Sequence, residues 1–571
     1  MKLYASILNA RLIKYTESAK VRAVSQFGFR PGLSTLHPLF ILQHLIDKAQ
    51  KQKTSLYCCF LDLKGAYDRI QRPLLWEALA RLGVYGRFYD AVLSLYNNYK
   101  VQINIDGQRG PALPSETGVK QGCPLSPTLF GLFLDGLCRY IQIKCPSVGP
   151  NVSGDVRVPN MEYADDVLLL AATPTDLQKL IDTTEDFCKQ VGLAISPDKS
   201  CFMIFGNTTS DTQTCSCGGQ LLTNQETHKY LGITFSSSLG IDSTLPALHQ
   251  KQQAAWAILK QQYAALQVST SVALIHRLYK ACVTPVASYG CELWSLRRML
   301  ARENAIRKKI QSTETTALKH VSGLRKTISD IVFYEEAGSL PLGSMWLQRA
   351  LTFYETCRLA DPDTLIFHAF HSDFQMSTSS RTKSWSNGLK AKLREIGYYV
   401  SFQEGLQPHL DATAVMQQFH NHFLEPAQGL SLCPRTCPSA KASLCTYFNW
   451  FARPAHVSVK FLPMRANLPR RLILPLLRFR TMCHTLPVVA GRQLSLERCQ
   501  RKCLLCHRNL PGDECHIIFK CPAVAHIRQQ HQSLFHPGQS MKDFQWSNTV
   551  HDLSRCIGLL FKYHMDNSVI N

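Results

Sequence analysis

Two adjacent aspartates offer the first sign of chemistry in this sequence. Asp165 and Asp166 follow Tyr163 and Ala164, and an apolar run from Val167 to Leu170 comes directly after them. This pattern predicts a β-hairpin with both carboxylates at its tip. Neighbouring carboxylates in a tight turn repel each other, and a hard divalent cation such as Mg²⁺, or Mn²⁺ in its place, relieves that repulsion.

A third carboxylate argues for a catalytic site and against an ordinary surface turn. Asp62 ends the apolar stretch LYCCFLD (56–62), which predicts a buried strand. A carboxylate from one strand that meets two from a neighbouring hairpin is a ligand set for two-metal phosphoryl transfer. We therefore expect Asp62, Asp165 and Asp166 to form one metal site.

Motifs in a fixed order around these aspartates resemble those of reverse transcriptases. FLDLKGAYD (60–68), GVKQGCPLSPTLFGLFLD (118–135) and YADD (163–166) are similar to the palm motifs of those polymerases. QFGFRPGLST (26–35) and YLGITF (230–235) narrow the resemblance to the non-LTR, LINE-type retrotransposon branch. Together these motifs are far more specific than any one of them alone. The resemblance implies an α/β right-hand polymerase of fingers, palm and a mainly helical thumb, followed by a basic C-terminal zinc-knuckle region.

The resemblance also implies roles for single residues in RNA-directed DNA synthesis. Asp62 and Asp165 are expected to hold two Mg²⁺ ions, with Asp166 completing the site. Tyr67, five residues after Asp62, matches an aromatic residue that lies under the sugar and excludes a 2′-hydroxyl. The expected nucleotide-binding residues are Arg30, Leu63 through its backbone carbonyl, Tyr67, Gln121, Gly122 and Lys199.

Two of these nucleotide-binding assignments have ordinary alternatives. Arg30 suits a triphosphate because guanidinium pairs well with phosphate oxygens, but a solvated loop arginine fits the sequence equally. Lys199 stands where the family keeps a lysine that could protonate the pyrophosphate leaving group, and a surface lysine is the alternative.

A cysteine and histidine pattern near the C-terminus predicts a structural zinc site. Cys503, Cys506, His516 and Cys521 follow the spacing C-x2-C-x9-H-x4-C. Three thiolates and one imidazole complete a tetrahedral zinc site with no open position, and the spacing resembles the CCHC knuckle of LINE-type proteins. Nearby alternative ligands are Cys499, His507 and Cys515. A second set, His420, His422, Cys433 and Cys437, is better explained as linker residues.

The charge of the chain indicates a polyanionic partner. The 571 residues carry a formal net charge of +22, and nucleic acid is the leading candidate partner. No apolar run is long enough to span a bilayer, and the N-terminus does not read as a signal peptide. We expect an RNA template, a DNA primer or target and dNTPs as partners, no membrane contact, and an intracellular ribonucleoprotein in the nucleus or cytoplasm.

Composition and motif position divide the chain into four segments. We expect reverse transcriptase fingers and palm over 1–227, a thumb or connection over 228–340, an irregular helical linker region over 341–457, and the basic zinc-knuckle region over 458–571. Two sets of basic residues are predicted to contact nucleic acid, although a solvated face is the usual explanation of such runs. The thumb set is Arg297, Arg298, Arg302, Arg307, Lys308 and Lys309; the C-terminal set is Arg465, Arg470, Arg471, Arg478 and Arg480.

The start of the chain leaves two other functions open. Residues 1–20 resemble the second half of the family's first fingers motif, so we expect a reading frame that begins late and carries no endonuclease domain before the polymerase. A non-catalytic nucleic-acid-binding relic is therefore one alternative. An RNA-dependent RNA polymerase, which shares the palm, is the other, and Tyr67 and the knuckle argue against it.

Overall fold

The computed structural model describes most of the chain. The described residues are 2–206, 214–265, 271–377, 383–402, 407–425, 442–453, 462–493, 496–497, 500–506 and 508–568. Cys433, Cys437, Cys499 and His507, which the sequence raised as possible metal ligands, lie outside them.

A five-stranded sheet forms the centre of the N-terminal part. Its strands are β1 (Ser55–Asp62), β2 (Asn160–Tyr163), β3 (Asp166–Ala171), β4 (Cys201–Gly206) and β5 (Thr223–Asn224). Their order across the sheet is β5–β4–β1–β3–β2. β1 is antiparallel to both of its neighbours, and the short β5 runs parallel to β4. The strand that ends in Asp62 is therefore central, and the hairpin that carries the other two aspartates adjoins it.

Successive residues of β1 enter two different apolar cores. One core contains Leu56, Cys58 and Phe60 together with helix Leu36–Gln52. The other contains Tyr57, Cys59 and Leu61 together with the helices Ser126–Lys144 and Pro174–Val191. Because both faces of the sheet are covered, its strands read as continuous apolar runs and not as alternating ones.

Helices pack around this sheet. Over residues 2–206 they are Lys2–Ser18, Leu36–Gln52, Ala66–Arg69, Arg72–Arg81, Gly86–Ser94, Ser126–Lys144 and Pro174–Val191. Thr173 is the N-cap of the last of these helices, since its hydroxyl accepts a hydrogen bond from the Asp176 backbone N–H at 3.1 Å.

Small two-stranded sheets lie outside the central sheet. They pair Lys100–Val101 with Leu113–Pro114, Asn104–Ile105 with Gln108–Arg109, Asn151–Ser153 with Val156–Arg157, Ser216–Cys217 with Gln220–Leu221, and Thr227–Tyr230 with Ile233–Ser236.

The rest of the described chain is helical. Helices from 245 to 358 are Leu245–Ala265, Val272–Cys282, Thr284–Ala287, Cys291–Trp294, Ala301–Val321, Asp330–Ala337 and Leu342–Arg358. Those that follow are Leu365–Met376, Trp385–Glu395, Ala412–Leu424, Ala442–Trp450, Arg470–Arg480, Pro487–Gln493, Ala525–Gln530, Met541–Trp546 and Val550–Asn567. Residues of the C-terminal helices share a third core with Leu259, Tyr279 and Phe333, so the basic C-terminal region packs directly on the predicted thumb.

Regular helices lie among the described residues of 341–457, the segment that the sequence predicts as an irregular helical linker region. Helices Leu365–Met376, Trp385–Glu395 and Ala412–Leu424 lie there. Phe370 and Trp385 are buried in the core that also contains β1, and their rings lie 6.4 Å apart. Serine-rich and threonine-rich stretches between these helices weakened the periodic signal, but the packing of the aromatic residues orders the segment.

Two arginines that the sequence assigned to nucleic-acid contact are internal. Arg297 is 4% exposed and donates to both carboxylate oxygens of Asp47, at 2.5 and 2.9 Å, and to Asp242 at 3.3 Å. Arg480 is 2% exposed and pairs with Glu336 at 2.7 Å. The predicted nucleic-acid role is therefore wrong for these two residues, whereas Arg302, Lys308, Lys309 and Arg471 are exposed.

Candidate active site

Strand register brings the three predicted carboxylates together. Asp62 ends β1 and stands opposite Asp166, the first residue of β3, in the antiparallel ladder. Residues paired in this way have Cα atoms about 4.5–5.5 Å apart. Tyr163 and Asp166 pair across the hairpin, so Ala164 and Asp165 form the turn. The hairpin-tip prediction is confirmed, and its position beside Asp62 follows from β1 lying next to β3.

The charges of this group disfavour three free carboxylates. The pKa of Asp166 is raised above its usual value, first by partial burial and then by the neighbouring charges of Asp165 and Asp62. Oxygen donors that repel one another suit a hard divalent cation, whose charge offsets the repulsion. The donor set therefore fits Mg²⁺ or Mn²⁺.

Tyr67 lies beside this group on a rigid support. Its ring stacks on Phe130 with centroids 4.4 Å apart and an interplanar angle of 18°. Burial, together with the charge of Asp165, raises the pKa of the Tyr67 hydroxyl to about 12, so it stays protonated at neutral pH. The stacked ring places a fixed aromatic surface near the carboxylates.

The loop of Gln121 and Gly122 is joined to the residues after β1. The Gln121 side-chain amide donates to both carboxylate oxygens of Asp68, at 3.0 and 3.2 Å. Gly118 has a φ of +75°, and a Cβ on it would lie 2.8 Å from the Cα of Asp68, so only glycine permits this close approach. Gly122 also has a positive φ, +77°. The predicted glycines thus serve a close backbone contact and a left-handed turn.

The remaining predicted nucleotide-binding residues differ in their surroundings. Leu63 is buried and forms an isolated bridge with Ile195, which ties the end of β1 to the segment that leads to Lys199. Lys199 is exposed and lies in the short 3₁₀ helix Pro197–Lys199. The Ser196 backbone N–H donates to the Asp62 carbonyl at 2.8 Å, so this segment adjoins the carboxylates.

Arg30 is occupied by protein partners. Its Nε and Nη2 donate to the two carboxylate oxygens of Glu17, at 2.9 and 2.7 Å. Its Nη1 donates to the carbonyls of Ala23 and Gln26, at 2.9 and 3.1 Å. The guanidinium therefore joins the N-terminal helix to the loop, and it would have to leave Glu17 to contact a triphosphate.

The structure also shows a buried carboxyl beneath the hairpin that the sequence analysis did not single out. Glu162 is 1% exposed, and Ser25 donates to its Oε2 at 2.6 Å. Asn160 donates to its other oxygen. In the sequence Glu162 shares the short strand Asn160–Tyr163 with another polar residue, Asn160, and nothing local distinguishes it from a surface glutamate.

The four predicted zinc ligands converge in the C-terminal region. Their ligand atoms all lie within 4.8 Å of one another, and within the described residues this is the one such group of three or more metal-binding side chains. The Sγ atoms of Cys503 and Cys521 are 3.9 Å apart, and Cys506 Sγ lies 3.3 Å from His516 Nε2. Ligands around a tetrahedral zinc at 2.0–2.3 Å are about 3.5–3.8 Å apart, so the donor set fits zinc.

Comparison with known proteins agrees with this geometry. Residues 1–235 match the family model described as reverse transcriptase (RNA-dependent DNA polymerase). The RNA-directed DNA polymerase from mobile element jockey of Drosophila melanogaster is 24% identical over 333 residues, 56% of this chain and 34% of that protein. The Pol polyprotein of the R2DM element of the same species is 32% identical over 241 residues, 40% of this chain and 22% of that protein. The chain thus spans about a third or less of the length of these relatives.

Solved structures resemble the chain only distantly. A telomerase from Candida tropicalis, in complex with a fragment of telomeric RNA, matches with a TM-score of 0.35 and 14% identity; the match covers 64% of this chain and 55% of the telomerase chain.

Among the described residues, no helix combines the length and apolarity needed to cross a membrane. The order of the sequence motifs and the sheet that gathers their carboxylates agree with the family match: residues 1–235 are similar to a reverse transcriptase domain, and the relatives named above come from mobile elements.

Proposed function

We propose that the chain is an RNA-directed DNA polymerase, which joins deoxynucleoside triphosphates to the 3′-hydroxyl of a primer. The observation that carries this proposal is the pairing of Asp62 with Asp166 across adjacent strands, with Asp165 at the adjoining turn. The family match over residues 1–235 and the names of the relatives support the same chemistry. The RNA template, the DNA primer or target and the dNTPs are the partners that this function requires.

The chain's own residues divide the work of the reaction. Asp62 and Asp165 would hold two Mg²⁺ ions, Asp166 would complete the set, and the Leu63 carbonyl would add a backbone oxygen. When bound, the metal ions lower the pKa of the primer hydroxyl and offset charge on the leaving pyrophosphate. Tyr67 excludes a 2′-hydroxyl, Gln121 and Gly122 position the nucleotide, and Lys199 lies on the segment from which it can protonate pyrophosphate.

The C-terminal region has a supporting part in this proposal. Cys503, Cys506, His516 and Cys521 hold one structural zinc ion, which orders a small segment against the thumb. Exposed basic residues of the thumb and the C-terminal region contact nucleic-acid phosphates. The proposed fingers and palm span residues 1–227 and the proposed thumb spans residues 228–340. The proposed working form is an intracellular ribonucleoprotein.

Primer extension on an RNA template with the purified chain tests the proposed function. Asp165→Asn preserves the shape of the hairpin but removes a ligand charge, so extension should fall to background while primer–template binding stays close to that of the parent. Asp155→Asn is the control, because Asp155 is exposed on a separate turn, and this variant should extend normally. Synthesis by Asp165→Asn would refute the two-metal assignment. A parent chain that binds primer–template normally but does not extend the primer would favour the alternative of a non-catalytic nucleic-acid-binding relic.

A further inference from the structure

The loop before Arg30 adds to the edge of the central sheet beside the catalytic hairpin. The Glu162 backbone N–H donates to the Ser25 carbonyl at 2.9 Å, and the Phe27 N–H donates to the Glu162 carbonyl at 2.8 Å. Gln26 forms a parallel bridge with Glu162 between these two bonds. The loop that contains Ser25, Gln26 and Phe27, here called the fingers loop, is thus hydrogen-bonded to the strand that leads into Asp165 and Asp166.

Gln26 joins this loop to the turn itself. Its side chain is fully buried, and its Oε1 accepts hydrogen bonds from the backbone N–H of Gly28 at 2.8 Å and of Ala164 at 3.2 Å. Its Nε2 has no hydrogen-bond partner among the described residues. The carbonyl oxygen is therefore the part of the side chain that makes the contact.

The residue that Gln26 holds is in an unusual conformation. Ala164 has a φ of +59°, a left-handed conformation that alanine rarely adopts, and it directly precedes Asp165. Its N–H is buried and would lack a partner without the Gln26 oxygen. Gly28 permits the contact, because a Cβ at that position would clash with the backbone nitrogen of Ala164. The Gln26 hydrogen bond, the left-handed backbone of Ala164 and the missing side chain at Gly28 therefore all concern the turn that carries Asp165.

We propose that Gln26 is a positioning residue that acts through the Ala164 N–H. By accepting this hydrogen bond, Oε1 keeps the turn left-handed and holds the Asp165 carboxylate beside Asp62 and Asp166 for divalent metal binding. The inference rests on the proposed function in that it concerns the same carboxylates, but metal affinity can be measured without catalysis. The contact also makes the metal site depend on a residue of the fingers loop.

Mn²⁺ binding to the purified full chain, followed by electron paramagnetic resonance, tests the proposal. Gln26→Met keeps the side-chain length but removes the acceptor of the hydrogen bonds from Gly28 and Ala164. Because the Ala164 bond holds the turn that carries Asp165, its loss should raise the Kd for Mn²⁺ about tenfold. Gln26→Glu keeps an acceptor oxygen and should bind Mn²⁺ at least as tightly as the parent. The part of the Mn²⁺ binding signal that Asp165→Asn loses is the part that comes from binding at the three carboxylates.

Gln252→Met is the matched control for loss of a buried glutamine. Gln252 is also fully buried, and its Nε2 donates to the Ile310 carbonyl at 3.0 Å in the thumb. This variant should lose stability but keep the Mn²⁺ affinity of the parent. Gly28→Ala reaches the same contact by another route, since the added methyl group must displace the loop from Ala164, and its affinity should fall as in Gln26→Met.

The outcomes separate this inference from the proposed function. Parent-like Mn²⁺ affinity in Gln26→Met, or equal losses in Gln26→Met and Gln252→Met, would overturn the positioning role. An affinity in Gln26→Glu as weak as in Gln26→Met would overturn the assignment to the acceptor oxygen. Selective loss of Mn²⁺ binding in Gln26→Met, in a chain whose parent does not extend primers, would support the positioning role and reject the polymerase activity.

Discussion

The buried carboxyl of Glu162 should make the stability of the palm depend on pH. Burial raises the pKa of Glu162 from 4.5 to about 7, although hydrogen bonds from Ser25 and Asn160 offset part of the effect. Between these two values the folded chain keeps the proton and the unfolded chain releases it. Stability therefore falls as pH rises from about 4.5 to 7 and levels off above pH 7.

The size of this effect follows from the two pKa values of Glu162. Each pH unit between them is worth about 1.4 kcal/mol, so ionisation costs about 3 kcal/mol at pH 8. Glu162→Gln keeps the shape of the protonated acid and removes the charge. Its amide oxygen can accept from Asn160, and its NH₂ group can donate to Ser25. The variant should therefore be about 3 kcal/mol more stable than the parent at pH 8 and close to equal at pH 5.

Thermal unfolding of the full chain at pH 5 and pH 8 measures this difference. For a cooperative unit of 150–250 residues, about 3 kcal/mol raises Tm by about 6 °C or more. Glu77→Gln is the control, because Glu77 is exposed and forms a surface ion pair with Arg81, four residues away, so its effect should be small at both pH values. An equal Tm difference between Glu162→Gln and the parent at pH 5 and pH 8 would refute the argument.

Two further predictions concern the sugar and the zinc. Tyr67→Ala removes the ring stacked on Phe130, so incorporation of ribonucleotides should rise relative to deoxynucleotides in primer extension; a parent chain that already prefers ribonucleotides would indicate an RNA polymerase. Elemental analysis of the parent should find one zinc ion per chain. Cys506→Ser should lose this zinc and bind nucleic acid more weakly, with a smaller dependence of the affinity on salt. Cys515→Ser is the control and should keep the zinc, because Cys515 is outside the ligand group. Zinc-free parent protein after purification under reducing conditions would discard the site.

Parts of the site that depend on neighbours in the chain could be predicted from the sequence. An apolar run that ends in Asp62 predicts a strand with a carboxylate at its end, and the apolar residues after Asp166 predict the second strand of a hairpin. The helix Pro174–Val191 follows from the periodic spacing of its apolar residues, and its N-cap follows from the hydroxyl of Thr173 directly before it. The Cys503–Cys521 spacing likewise predicted a compact group, and the structure brings its four ligand atoms together.

The sequence could not predict which charged residues pair inside the protein. Arg297 has the same local surroundings as its exposed neighbours in the basic run, and its burial depends on Asp47, 250 residues earlier in the chain. Arg480 likewise depends on Glu336, 144 residues away. The anions that meet Arg297 and Arg480 lie far away in the sequence, so composition and periodicity carry no signal of the pairing.

The same reason explains why the support of the active site was missed. The sequence by itself determined which residues carry the carboxylates and the thiols, because strand, turn and ligand spacing are local properties. Only the tertiary structure decided that Gln26 contacts Ala164, 138 residues later, and that Glu162 is buried beneath Ser25. These contacts join segments that are far apart in the chain, so no local pattern of residues indicates them.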